Sequence, residues 1–335
     1  MTTNATAAMD PKQTKLIKEF KHNRPLTTCF WDPLSRYVFF GAEDHLIHRF
    51  DLSSGQASAF TGHDSWVRTL AASTDGKTLY SGGYDGRLIF WEAAASQPKP
   101  LRTIEAHQGW VRAVTLSPDG KYLATCGNDR AVKVWQASDG QMVQEFSGHE
   151  THVYNVVFQH DSQGLVSCDH KGVVKTWSLN GKPARELLRV EALHGYDTTF
   201  RADIGGARDI AIRSDGTQLA LSGISKVTNA FAGVGEAVVA LVDLSKGTLD
   251  RVLQPKDKIK GTMWGVAHHP AGFWIGLSGG SGGGSLGFWK GDTSDEHFKL
   301  QLKNDGRGMS ISPDHQRVAV AHADAHLRLY QLQSA

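Results

Sequence analysis

The stretch GHDSWVRTLAASTDGKTLYSGGYDGRLIFW, Gly62 to Trp91, sets the reading of the whole chain. It opens on Gly-His and closes on an aromatic residue, with three short apolar runs between. Val67 to Leu70, Thr78 to Ser81 and Arg87 to Trp91 read as strands. Ser73-Thr74-Asp75-Gly76 and Gly82 to Gly86 read as tight turns, because Gly and Asp tolerate left-handed backbone angles.

The stretch recurs. His63 precedes Trp91 by 28 positions, as His107 precedes Trp135, His149 precedes Trp177 and His22 precedes Phe50. The four histidines follow one another at intervals of 41, 44 and 42. A four-stranded unit at that period is the signature of a β-propeller blade.

At these residues the chain resembles the WD-repeat (Trp-Asp) β-propeller proteins. The family repeat carries a His, a Ser or Thr in the second strand, an Asp in the following turn and a Trp in the third strand. His63, Ser81, Asp85 and Trp91 match in full, as do His107, Thr125, Asp129 and Trp135. The next repeat keeps His149, Ser167 and Trp177 but has Lys171 at the Asp position. The first keeps His22 and Asp44 but carries Phe40 and Phe50. The resemblance implies that these quartets are scaffold, tying a turn to two strands through hydrogen bonds.

Composition suits this reading. The chain has 335 residues, 36 of them Gly, as a turn-dense all-β chain requires. A closed ring of repeats at that length is one unit. A formal net charge of +2 without runs of like charge argues against a nucleic-acid or membrane surface as the main partner. Cys29, Cys126 and Cys168 are too few and too scattered for a disulfide or zinc framework. The N-terminus lacks a basic and then apolar leader, so a soluble, reducing, cytoplasmic setting is expected.

In chain order, residues 1–13 are expected to form a disordered tail and residues 14–335 a single propeller domain. Lys15 to Phe20 alternates like the outer strand Met142 to Phe146, and the resemblance implies that it completes the last blade. Closing the ring leaves no dangling edge. Four blades end their third strands at Phe50, Trp91, Trp135 and Trp177. A fifth uses Asp209 to Ile212, Gln218 to Leu221 and Val238 to Val242. A sixth uses Met263 to Ala267, Phe273 to Leu277 and Leu286 to Trp289. A seventh uses Gly308 to Ile311, Arg317 to Val320 and Leu327 to Tyr330. The predicted fold is an all-β, seven-bladed propeller of four-stranded antiparallel blades.

In a meander of strands a to d, the b–c and d–a connections share one face. The a–b turns are short, as in Pro118-Asp119-Gly120 and Ser214-Asp215-Gly216. The long connections, Glu191 to Ala207, Gly223 to Ala237 and Ser278 to Ser285, all fall on the opposite, b–c face. Long loops in a compact fold usually carry function, so that face is the predicted site. Trp66, Trp110 and His152 precede the first strands there, and Arg68, Arg112 and Tyr154 follow two positions later. Tyr84, Asn128 and His170 sit in the b–c turns, and Phe200, Arg201, Asn229 and Phe231 in the long loops extend the patch. Large aromatics and Arg are the material of protein-binding hot spots.

Catalytic and metal signatures are sparse. Gly279 to Gly284 lacks the Lys-Ser or Lys-Thr of a phosphate cradle. His322, Asp324 and His326 crowd one short turn, which seldom gives tetrahedral metal geometry, so no metal or cofactor is expected. The leading reading is a protein- or peptide-binding scaffold. The alternative is a hydrolase or lactonase at the channel mouth, with His194, Asp197, Asp203 and Asp209 as its clustered candidates. A third, nucleic-acid binding through Arg68, Arg112, Arg201 and Arg208, demands steeply salt-dependent association.

Overall fold

A computed structural model describes residues 9–229, 234–257, 259–280 and 283–334. Seven four-stranded antiparallel sheets follow one another along the chain. Blade 1 is Leu26–Trp31, Tyr37–Ala42, Ile47–Asp51 and Ala57–Phe60. Blade 2 is Val67–Ala72, Thr78–Gly83, Arg87–Glu92 and Pro100–Glu105. Blade 3 is Val111–Leu116, Tyr122–Gly127, Val132–Gln136 and Met142–Phe146, and blade 4 is Val153–Phe158, Gly164–Asp169, Val173–Ser178 and Arg185–Arg189. Blade 5 is Asp209–Ile212, Gln218–Asn229, Val234–Asp243 and Thr248–Leu253. Blade 6 is Gly261–His269, Phe273–Gly280, Ser285–Lys290 and Phe298–Gln301. Blade 7 is Gly306–Ile311, Arg317–His322 and His326–Ser334, completed by the N-terminal strand Met9–Lys21.

The ring therefore closes as predicted, by a strand from the start of the chain pairing antiparallel with the last strand. The closing strand begins earlier than expected. Met9 pairs with Ser334 and Asp10 with Gln333, so residues 9–13 are strand and not tail. Residues 1–8 lie outside the described residues.

The blades hold together through apolar layers between neighbours. Phe39, Ile47 and Phe60 of blade 1 pack on Val67, Leu70, Leu79 and Trp91 of blade 2. At the seam, Ala319, Ala321, Leu327 and Leu329 of blade 7 pack on Leu26, Trp31, Phe40 and Phe50 of blade 1, with Phe20 of the closing strand against them. Each blade's b strand reads as a nearly continuous run of apolar and small residues because both of its faces are covered.

The a–b turns of blades 2, 3 and 7 share one chemistry. Ser73 Oγ donates to Asp75 Oδ1 (2.6 Å) and accepts from Thr78 N (2.9 Å). Ser117 repeats this with Asp119 and Tyr122, and Ser312 with Asp314 and Arg317. The residue after the turn Asp is left-handed: Gly76 at φ 65° and Gly120 at φ 75°, with His315 at φ 56° in blade 7.

The long connections are more ordered than the sequence suggests. Gly223 to Ala237, expected as a loop, is mostly ladder: Ile224 pairs with Ala237 and Asn229 with Val234. Ser278 to Ser285 likewise extends the sixth blade, where Ser278 pairs with Ser285. Glu191 to Ala207 holds a short 3-10 turn, Glu191–Leu193, and a separate hairpin, His194–Asp197 with Ala202–Gly205. Small and β-branched residues hid these extensions, because a Gly- and Ser-rich ribbon carries little period-two contrast.

Candidate binding site at the channel mouth

The quartets fix the frame. Trp91 Nε1 donates to Ser81 Oγ (2.8 Å), which contacts His63 Nε2 (2.7 Å), while His63 Nδ1 meets Asp85 (2.9 Å). One tautomer gives every donor an acceptor: the serine hydroxyl donates to Nε2, and Nδ1–H donates to the carboxylate. His107, Thr125, Asp129 and Trp135 repeat the chain. In blade 4 the carboxylate comes from elsewhere. Lys171 occupies the expected position, and Asp169, at the end of the second strand, takes His149 Nδ1 at 3.1 Å. Ser167 joins His149 (2.7 Å) and Trp177 (2.8 Å) as in the other blades.

These frames aim a ring of side chains. The first strands carry a recurrent register shift at Leu26/Thr28, Val67/Thr69, Val111/Ala113, Val153/Asn155, Met263/Gly265 and Gly306/Gly308. Each is a β-bulge, which leaves one residue out of the ladder and re-aims its side chain. The residues left out are Thr27, Arg68, Arg112, Tyr154, Trp264 and Arg307. In blade 5 Arg208 stands at the same place, its N–H donating to Ser222 O (2.7 Å) just ahead of the ladder.

Five of the seven positions interlock through rings, and Arg68 Nη2 donates to Arg208 O (3.2 Å). The Arg112 guanidinium lies 4.3 Å from the Tyr154 ring centroid and 4.5 Å from that of Trp110. Arg208 lies over Tyr154 (5.1 Å) and Trp264 (5.6 Å), and Arg307 over the same Trp264 (5.5 Å). Tyr84 stacks on Trp110 at 3.9 Å and 5°, and Trp66 adjoins Tyr84 at 6.1 Å. Tyr154 stacks on His170 (5.1 Å), which faces His152 (6.5 Å). Asn128 accepts from Arg112 Nε at 2.8 Å. Nine of the residues singled out from sequence thus meet: Trp66, Arg68, Tyr84, Trp110, Arg112, Asn128, His152, Tyr154 and His170. The backbone explains why. Tyr84 N donates to Trp66 O, Asn128 N to Trp110 O and His170 N to His152 O, so each b–c turn is bonded to the residue just ahead of the a strand of its own blade.

Beneath the ring lies a cavity of about 200 Å³ lined by Arg68, Arg112, Asn155, Arg208, Asp209 and Trp264, among others. A smaller one of about 80 Å³ opens beside it, between Glu43, Trp66, Arg68, Tyr84 and Arg307. Burial pushes His170 down to about 4 and lowers His152, so both are neutral at pH 7 and the positive charge belongs to the arginines. Asp209 keeps some contact with the cavity yet sits deep in the channel. Desolvation raises it to about 6, against hydrogen bonds from Val266 N (3.0 Å) and Ile210 N (2.9 Å).

Sequence reasoning passed over Trp264 and Arg307, and gave Arg208 only a nucleic-acid role. A signal existed. Arg68, Arg112, Tyr154, Arg208 and Arg307 each stand seven positions before the turn aspartates Asp75, Asp119, Asp161, Asp215 and Asp314.

The remaining candidates fall elsewhere. Phe200 and Arg201 ride the tip of the separate hairpin, Arg201 at φ 49°. Phe231 lies outside the described residues, as does the side chain of Asn229. Of the four catalytic candidates only His194 and Asp203 meet. His194 Nε2 meets Asp203 at 2.8 Å, and Asp203 pairs with Lys171 at 3.3 Å. Asp197 accepts from Thr199 N and Phe200 N in its own turn, and Asp209 lies in the channel. Among the described residues, the group able to offer converging metal ligands is His22, Asp44 and His48, with both Nε2 atoms on Asp44 Oδ2 at 3.0 and 2.9 Å. It is blade 1's substitute for the quartet. His322 instead meets Asn304 O (3.0 Å), and Asp324 clamps Arg328.

Among the described residues no helix is long and apolar enough to cross a membrane. Residues 55–92, 98–136 and 140–178 match the family model of the WD domain, G-beta repeat. Similar proteins include WD repeat and FYVE domain-containing protein 2 of Caenorhabditis elegans, 30% identical over 25% of this chain and 21% of its own length. The pre-rRNA-processing protein pro-1 of the same organism is 27% identical over 27% of this chain and 20% of its own. An uncharacterized WD repeat-containing protein of Schizosaccharomyces pombe is 28% identical over 26% and 22%. The chain thus spans about a fifth of the length of the curated relatives it matches. With seven four-stranded blades the chain is a β-propeller, and three consecutive stretches of it match the WD repeat.

Proposed function

We propose that the chain is a non-catalytic scaffold that holds a protein or peptide on the b–c face of its propeller. One observation carries this reading. The series of contacting side chains from Trp66 through Tyr84, Trp110 and Arg112 to Tyr154 includes two tryptophans, Trp66 and Trp110, that are 39% and 38% exposed. Pre-stacked rings lose little conformational freedom on binding, and a buried aromatic anchor contributes about 2 kcal/mol or more. A cytoplasmic setting accords with three free, buried cysteines whose thiols burial pushes upward, Cys29 to about 12.

The test is affinity capture from source-cell lysate, parent against Trp66→Ala with Trp110→Ala, read by mass spectrometry. A partner enriched by the parent and lost with the folded double variant supports the reading. Equal capture by both proteins refutes this face as the site.

A further inference from the structure

The cavity under the ring has a charge balance that protein docking does not require. Arg68, Arg112 and Arg208 line it against one carboxylate, Asp209. Among the described residues, none of these three arginines, nor Arg307 at the rim, has an acidic partner within ion-pair distance. Elsewhere in the molecule arginines pair readily: Arg36 with Asp32 at 3.0 Å, Arg87 with Asp64 at 2.6 Å and Arg328 with Glu19 at 2.6 Å.

The channel arginines are held in another way. Their planar faces lie on rings, Arg112 on Trp110 and Tyr154, Arg208 on Tyr154 and Trp264. Stacking engages the face of a guanidinium and leaves its N–H edge to a ligand. Arg68 spends one N–H on Arg208 O (3.2 Å), and Arg112 spends its Nε on Asn128 (2.8 Å). Arg208 Nε is buried and has no partner at all. A buried donor on a charged group without an acceptor is costly, and an anion in the cavity would satisfy it. Asn155 and Thr69 also line the cavity, although Asn155 Nδ2 is used by Arg208 O (3.1 Å) and Thr69 Oγ1 by Val114 N (3.0 Å).

We propose that this channel cavity is a binding site for a small oxyanion, a carboxylate or phosphate group, gripped by the N–H edges of Arg68, Arg112 and Arg208. Its volume, about 200 Å³, admits a phosphate, a small polycarboxylate or one acidic side chain inserted from the rim. The site stands whether or not a protein docks on the face above. Asp209 opposes occupancy when ionised, and because burial raises it to about 6 that opposition fades as pH falls through 6.

The experiment is calorimetric titration of the full chain at low salt with inorganic phosphate, with citrate and with a hexaglutamate peptide. At least one probe is expected to bind saturably with a Kd of about 1 mM or tighter. Binding of phosphate or citrate identifies a free anion as sufficient; binding of hexaglutamate alone identifies a carboxylate presented on a chain. Arg112→Gln and Arg208→Gln, made separately so that each stands if the other misfolds, are expected to weaken binding about tenfold each. Asp209→Asn is expected to tighten it, and Arg185→Gln on the outer strand of blade 4 to leave it unchanged. Trp66→Ala with Trp110→Ala, which tests the docking face, leaves the three gripping arginines in place. No saturable heat with any probe up to about 10 mM overturns the proposal. So does binding that both arginine variants retain in full.

Discussion

Ring closure rests on a buried charge cluster at the seam, and its strength can be measured. Glu19 of the closing strand and Arg328 of the last strand are register partners. Arg328 is 3% exposed; its Nε donates to Glu19 Oε2 (2.6 Å) and its two terminal nitrogens clamp Asp324 (3.0 and 2.7 Å). Lys303 reaches Glu19 from the neighbouring blade at 2.5 Å. The Asp324 contact stays within one hairpin, whereas the Glu19 contact crosses from one end of the chain to the other. Arg328→Ala takes the clamp from Asp324 and leaves Glu19 with Lys303 alone, at a cost of about 3 kcal/mol, the lower end for a broken buried pair because both acids keep some solvent. Glu19→Ala is milder, because Asp324 still satisfies the guanidinium. The coupling energy from the double-mutant cycle isolates the seam, and a charge-assisted bond with one partly exposed partner predicts about 1–2 kcal/mol. The assay is urea denaturation of parent, both single variants and the double variant. The sign with pH is fixed too. The Lys303 and Arg328 hydrogen bonds hold Glu19 near 2, below its ordinary 4.5, so the coupling is full above pH 4.5 and is lost as pH falls toward 2. A coupling below about 0.3 kcal/mol would refute the argument that charge carries closure across the seam.

Asp209→Asn has a pH signature of opposite sense. Because burial raises this carboxyl to about 6, its ionised form costs stability above pH 6 and nothing below pH 3.8. The Asn variant is expected to exceed the parent by up to about 3 kcal/mol at pH 7.5 and to match it near pH 4; a difference independent of pH between these limits refutes this. Ser81→Ala leaves Trp91 Nε1 and His63 Nε2 without partners in a site of 0% exposure, so urea denaturation should show a loss of about 2–4 kcal/mol. A loss under about 0.5 kcal/mol, the scale of an ordinary surface change, would show that the quartet is not a stabilising network.

Blades 2 to 4 are legible in sequence because a hydrogen-bonded quartet needs particular residue types at fixed offsets. The later blades are read instead from their turns. Ser214-Asp215-Gly216 and Pro313-Asp314-His315 mark the a–b corners even where no quartet survives. What escaped lacked such chemical markers. The extended hairpin of blade 5 pairs Ser222 to Ser225 with Glu236 to Val239, where small residues conceal the strand. Blade 4 shows a different limit. The quartet's carboxylate is a position in space, and Asp169 reaches it from two residues upstream of Lys171. The nine residues lie close together because entry residue and b–c turn are tied by backbone. Trp264 and Arg307 were passed over, because blades 6 and 7 lack the Gly-His landmark from which they would have been counted.

A bulge in six of seven first strands is too regular to be a packing defect. A β-ladder places alternate side chains on its two faces, and in these first strands both directions are taken up by blade-to-blade packing. Thr69, for example, donates nothing to a ligand; its hydroxyl accepts from Val114 N of the next blade at 3.0 Å. One unpaired residue per blade is the small departure that frees a side chain for the channel rim without unpairing the strand. The frame that tolerates it is the rigid one: Ser81, Thr125 and Ser167 are 0% exposed and each ties its blade's Trp and His together. The quartet thus holds its blade together, while the bulge sets one side chain at the channel rim. That division leaves Arg68, Arg112 and Tyr154 free to differ in type while an Asp stands in the turn seven residues after each.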